Sequence, residues 1–238
     1  MGCGCASKCA TVTTRIGGGD CGFSVCDNRG RDVDFVPLAE FLPRVRLIAK
    51  GVPDDVALDY IGQAAFEFAV KTRLLKRELV FDVQADVQDY YLEAGECEQV
   101  HLIRKIDLDC DVCGTASCAV DAGYCANQNL LFDFEPPEKI WLKKRPDADA
   151  ENAFRVEYVA APTQTACEVD RLLFDRYQDA VVSGALAYLL LMRQYDFAAP
   201  QLADRYESRF RREINRAKIE VAREVKTNDR HFIVWGKV

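Results

Sequence analysis

Two histidines, two methionines and two tryptophans are all that 238 residues contain of those types. With so few imidazoles a histidine base has little support. His101 lies in a strand-like alternation beside Leu102, and His231 lies in the terminal tail, so each reads as a packing or surface residue. The sequence also lacks G-x-G-x-x-G, a Walker A loop, G-x-S-x-G and H-E-x-x-H. The dinucleotide cradle, the phosphate loop, the serine elbow and the zincin helix are thereby excluded, and an enzyme is not expected. Long apolar runs are missing too. The densest, Ala185 to Met192 (ALAYLLLM), is less than half of the roughly 20 residues that cross a bilayer, so no membrane span is expected. No charged segment followed by an apolar stretch opens the chain, so a secretory signal is not expected and synthesis in the cytoplasm is. MGCGC resembles a lipidation signal at Gly2, but Ala6 stands where serine or threonine is needed.

Basic charge is in deficit: 31 Lys and Arg face 38 Asp and Glu, a net charge of −7. That argues against a protein that coats nucleic acid. The deficit is uneven, because Gln201 to Val238 holds ten Lys/Arg against six Asp/Glu. A basic terminal segment on an acidic body fits a phosphate-contacting arm or a surface for an acidic partner; the interspersed acids favour the second. Hydrophobic residues at 49% and charged residues at 29% are ordinary globular values. The length suits one domain or two intimately joined ones.

Cysteine is abundant. Eleven is an odd number, which excludes complete internal pairing, and cytoplasmic thiols stay reduced. Five lie between Cys3 and Cys26, five between Cys97 and Cys125, and Cys167 stands alone. Cys110 and Cys113 form the tight knuckle that tetrahedral zinc favours, and Cys118 and Cys125 complete a candidate ligand set that would staple a loop with little core. Reduced thiols, or disulfides formed after leaving the cell, are the alternatives.

Along the chain, residues 1–36 read as an irregular Cys- and Gly-rich arm. The first helix of the body falls within 37–77. It starts after Val52, with Pro53 in the first turn and Asp54 and Asp55 at the positive end of the dipole. Ile61, Ala65, Phe68 and Leu75 recur along one face. Residues 78–165 change to a period of two: Leu79, Phe81 and Val83, then 100–108, Phe132 and Phe134, Ile140 to Leu142, and 156–160. They read as a β-rich module carrying the Cys-rich loop. Residues 166–227 read as a helical hairpin, its last helix marked by Ala203, Tyr206, Phe210, Ile214, Ala217 and Val221. Residues 228–238 end in Phe232, Ile233, Val234 and Trp235, four apolar side chains costly to leave in water. Docking onto a partner is favoured for them over packing on the chain's own core. The expected fold is α+β, an antiparallel helical bundle with an inserted small antiparallel β module.

The segments GVPDDVALDYIGQAAFEFAVKTRLLKRELVFDV, FEPPEKIWL, VAAPTQTACEVDRLLFDRYQDAVVSGALAYLLLM and PQLADRYESRFRREINRAKIEVAREV, in that order, resemble the head-to-tail connector (adaptor) proteins of tailed bacteriophages. The resemblance covers roughly 37–226 and leaves out the two Cys-rich segments. It implies a virion protein of the head–tail junction, assembled in the host cytoplasm as a closed ring, typically of twelve copies, below the portal protein. Tail tube, nozzle or tail hub proteins would be received below it, and genomic DNA would pass through the lumen without specific binding. The C-terminal segment, Phe232 to Trp235, would clasp the portal. The alternative is a zinc-binding, non-catalytic protein that regulates or contacts nucleic acid, built around the cysteines.

Overall fold

The computed structural model describes residues 33–95, 97–108, 132–143 and 145–228. The N-terminal arm up to residue 32 lies outside them. The described residues divide into two compact units, one built from 33–38 together with those of 75–171, the other from 39–74 together with 172–228.

The helical unit begins with a 3-10 turn, Leu38–Phe41, that runs into α1 (Leu42–Ile48), where Pro43 sits in the first turn and costs no hydrogen bond. α2 (Asp54–Thr72) starts with Pro53 as its extended cap and Asp54 and Asp55 in its first turn. It stops at Arg73, a left-handed residue whose N–H bonds back to the Ala69 carbonyl. The buried face of α2 is Ala57, Ile61, Ala64, Ala65, Phe68 and Ala69. α3 (Arg171–Leu189) bends at Tyr177, and from Ala180 to Ala187 every residue is buried. That stretch carries no charge, and its one hydroxyl, Ser183, donates to the Asp179 carbonyl at 2.6 Å, as central burial requires. α4 (Pro200–Asn228) is strongly amphipathic and packs chiefly against α2. The aromatic core is Phe68, whose ring lies 5.1 Å from Tyr177 and 6.2 Å from Phe210.

The β-rich unit holds three antiparallel sheets. β1 (Phe35–Pro37) pairs with β8 (Glu168–Asp170). β7 (Ala150–Pro162) is the middle strand of the second sheet, between β2 (Lys76–Val83) and β4 (Glu98–Leu108). β6 (Lys139–Leu142) is the middle strand of the third, between β3 (Asp89–Tyr91) and β5 (Phe132–Glu135). β7 alternates inward and outward from Phe154 to Tyr158, then is buried on both faces as far as Pro162. A strand covered on both sides reads as a continuous apolar run, here YVAAP. Phe81, Tyr90 and Phe154 join the second and third sheets through ring contacts of 4.6 to 5.7 Å.

This architecture corrects the expected fold class. The β part is no small module inserted in a helical bundle: it is a compact unit of eight strands in three sheets, among the described residues, with a core of its own. Tyr158, Phe154, Ile140 and Leu142 are fully buried there. Two features hid its size. β7 is 13 residues long, but its first half, AENAFR, is poor in strand formers. β1, β3 and β8 are three residues each, too short for any alternation to register.

Candidate interaction surfaces

The most strongly coupled charges are inside the β-rich unit. Arg77 on β2 donates from Nη2 to Glu98 Oε1 at 2.7 Å and from Nε to Glu98 Oε2 at 3.1 Å, a bidentate pair, and Nη2 also donates to Asp170. All three side chains are nearly withdrawn from water, at 12%, 3% and 10% exposure. Burial alone would lower the Arg77 pKa, but the two carboxylates more than offset it and raise it. The cluster ties β2, β4 and β8 together, and a partner has no access to it. It pins the fold.

The outer face of the third sheet is open. Inward, Tyr90, Ile140 and Leu142 are buried; outward, the register sets Asp89, Trp141 and Asp133 side by side across β3, β6 and β5. The next outward row is Tyr91, Lys139 and Glu135. Tyr91 is 62% exposed and Trp141 41%. Lys139 lies 3.3 Å from Asp89, which with Tyr91 and Glu135 raises its pKa, and Lys143 lies 3.4 Å from Asp133. A shallow depression on this face is lined by Asp89, Asp133, Glu135, Lys139 and Trp141. An indole with a carboxylate on either side can take a cation over its ring.

In the helical unit, α4 buries Ala203, Phe210, Ile214 and Ala217 and turns the other side outward. Arg205, Arg212, Arg216 and Arg223 follow at steps of seven, four and seven, which places them on one exposed stripe with Ile219 among them. Ile219 is 54% exposed. Glu213 and Glu220 flank the stripe and reach Arg216 at 4.0 and 3.3 Å. On the inner flank, Tyr188 donates its phenolic hydrogen to Glu67 Oε2 at 2.5 Å. That bond to a carboxylate, with partial burial, pushes the Tyr188 pKa up to about 12.

The residues singled out from sequence fall elsewhere. Cys110, Cys113, Cys118 and Cys125 lie outside the described residues, as do Phe232, Ile233, Val234 and Trp235. Among the described residues no group of His, Cys, Asp or Glu is arranged to hold a metal, Cys97 is disulfide-bonded and Cys167 lies outside any disulfide. His101 is an exposed residue of β4. Sequence reasoning reached the basic last helix but missed the Trp141 face. The signal was Ile140-Trp141-Leu142, whose alternation puts a tryptophan on the side opposite two aliphatic residues.

Among the described residues no helix is long and apolar enough to cross a membrane. No curated protein matches the chain. The family model described as SU10 adaptor protein matches residues 36–231, a span that takes in the described parts of both units almost entirely. Earlier resemblance and this match agree in kind, and the chain belongs to the SU10 adaptor protein family, the structural adaptors of bacteriophage virions.

Proposed function

We propose that the chain works as a ring-forming adaptor at the head–tail junction, seated below the portal, receiving tail proteins and leaving a lumen for DNA. The family match along residues 36–231 carries this reading. The outward faces of α4 and of the third sheet support it, since an assembly protein works by its surfaces. A closed cyclic ring needs a heterologous contact, one patch against a different patch of the neighbour, and a twelvefold ring is the expectation from the adaptor resemblance. Binding rather than catalysis is its work, with no cofactor required. The C-terminal residues Phe232 to Trp235 are the proposed portal contact.

Electron microscopy of the purified chain mixed with portal tests the reading. Rings on one face of the portal are expected, and failure to bind portal refutes it. Deleting residues 228–238 should leave the fold intact by circular dichroism and abolish portal attachment. Unchanged attachment would remove the C-terminal contact from the proposal.

A further inference from the structure

Charge is divided between the units. Among the described residues, the β-rich unit has 17 Asp and Glu against nine Lys and Arg, whereas the helical unit has 13 against 15. Among the described residues, the Asp89–Trp141–Asp133 row is an open face of the acidic unit, and the α4 arginine stripe is an open basic face of the other. We propose that these two faces meet between copies: the outer face of the third sheet in one copy receives Arg212 and Arg216 from α4 of a second copy. This rests on the adaptor reading in one respect, that it supplies the heterologous contact a ring requires.

The chemistry of the receiving face selects the guest. Asp133, Glu135 and Asp89 outnumber Lys139 and Lys143 on this face, so its balance favours a cationic guest over phosphate. The Trp141 ring, with a carboxylate on each side, suits a planar guanidinium, which stacks on the ring while its N–H groups reach the oxygens. Spacing agrees as well. Arg212 and Arg216 are one helical turn apart, about 6 Å along the axis. Asp133 and Glu135 are two residues apart on β5, about 6.8 Å. A helix lying along β5 therefore brings one arginine to each carboxylate. The existing Lys139–Asp89 and Lys143–Asp133 contacts are exposed pairs at 3.3 and 3.4 Å. Such exposed pairs are weak and exchange readily for an arginine that loses its water on docking.

The test uses the full chain and two charge-reversed forms, R212E/R216E and D133K/E135K, each checked for fold by circular dichroism. Self-association is measured by sedimentation velocity at high protein concentration. The natural chain is expected to associate in about 50 mM salt and to weaken near 500 mM, as screening shortens the reach of the charges. Each reversed form alone should lose about tenfold or more in association constant. An equimolar mixture should regain it, because the acidic helix of one form meets the basic sheet of the other, and the converse pair is natural. A natural chain that stays monomeric at every concentration overturns the proposal. So does a reversed form that associates normally, or a mixture that stays apart. Portal binding is read separately: portal attachment with no recovery in the mixture sinks this interface alone, whereas recovery without portal attachment sinks the adaptor reading alone.

Discussion

In the helical unit the tightest place is Gly184, where α3 passes so close to its neighbours that a Cβ would stand 2.9 Å from the Ala64 Cβ and 3.0 Å from the Phe210 ring. In the β-rich unit the most demanding place is Arg77, a cation held out of water by two carboxylates. One unit is thus limited by shape and the other by the neutralisation of buried charge. The first kind of constraint is graded, since each added or missing methyl group costs in proportion. The second is closer to all-or-none, because removing one partner strands the others.

The comparison is broken most directly at Arg77. Arg77→Met takes from the buried Glu98 and Asp170 the cation that both of them bind and should destabilise by about 3–5 kcal/mol in a denaturant melt. Arg77→Met combined with Glu98→Gln and Asp170→Asn should recover a large part of that loss. If the triple variant is no better than the single one, Arg77 acts through packing of its stem and the contrast between the units fails. In the helical unit Phe68→Ala removes a fully buried ring and should cost a similar 3–5 kcal/mol. There, however, Phe68→Leu should recover much of the loss without any second substitution, as a graded packing constraint requires.

A smaller effect sharpens the shape argument. Gly184→Ala would set a Cβ 2.9 Å from the Ala64 Cβ, which cannot swing aside, so the helices must shift, and it should cost about 1–3 kcal/mol by overpacking. Adding Ala64→Gly makes room and should return some of it. Additive losses in the double variant would show that the close approach is not what limits this helix.

How far sequence could read these two units differs for the same reason. α2 and α4 carry their apolar stripes and terminators openly: Pro53 with two aspartates at one end of α2, and a run of Ala203, Phe210, Ile214 and Ala217 in α4. Periodicity of that kind is local and survives without knowledge of the partner. The kink at Tyr177 left no trace, since no proline or glycine marks it. In the β-rich unit the edges of β2, β4 and β6 could be read from alternation, but strand order could not. β2 and β4 do not pair with each other; both pair with β7, more than 40 residues further along. The Arg77 cluster was invisible for that reason, because its members are 21 and 93 residues apart in the chain. The outward row on the third sheet was hidden in the same way, its three residues becoming neighbours only through register.

Polar contacts in the helical unit offer a milder test of the contrast. Tyr188→Phe removes one hydrogen bond to Glu67 at the edge of the core and should cost about 1 kcal/mol near neutral pH. The phenol's pKa is raised in the folded chain, so the stability it lends is complete below the ordinary value of 10.0 and disappears as pH climbs through about 12. Natural chain and variant should therefore converge in stability at high pH. A tyrosine titrating near 12 by absorbance should be missing from the variant; its persistence would assign that titration to another residue.

The smallest effect returns to charge in the β-rich unit. Glu168 on β8 is partly withdrawn from water, and burial pushes its carboxyl above the usual 4.5. Unlike Glu98, it shows how a carboxylate fares there without the bidentate hold of Arg77. Because the folded chain binds this proton more tightly than the unfolded chain, its contribution is most favourable below 4.5 and is lost as pH rises through the raised value. At neutral pH the ionised group then costs stability. Glu168→Gln should stabilise slightly at pH 7, by no more than about 0.5 kcal/mol because solvent still screens this half-exposed group, and the advantage should vanish under acid. The same exchange at Glu98 should act in the opposite direction and more strongly, because there the charge is what Arg77 requires. If both substitutions destabilise alike at neutral pH, burial rather than pairing decides the fate of charges in this unit, and the distinction drawn from Arg77 would have to be given up.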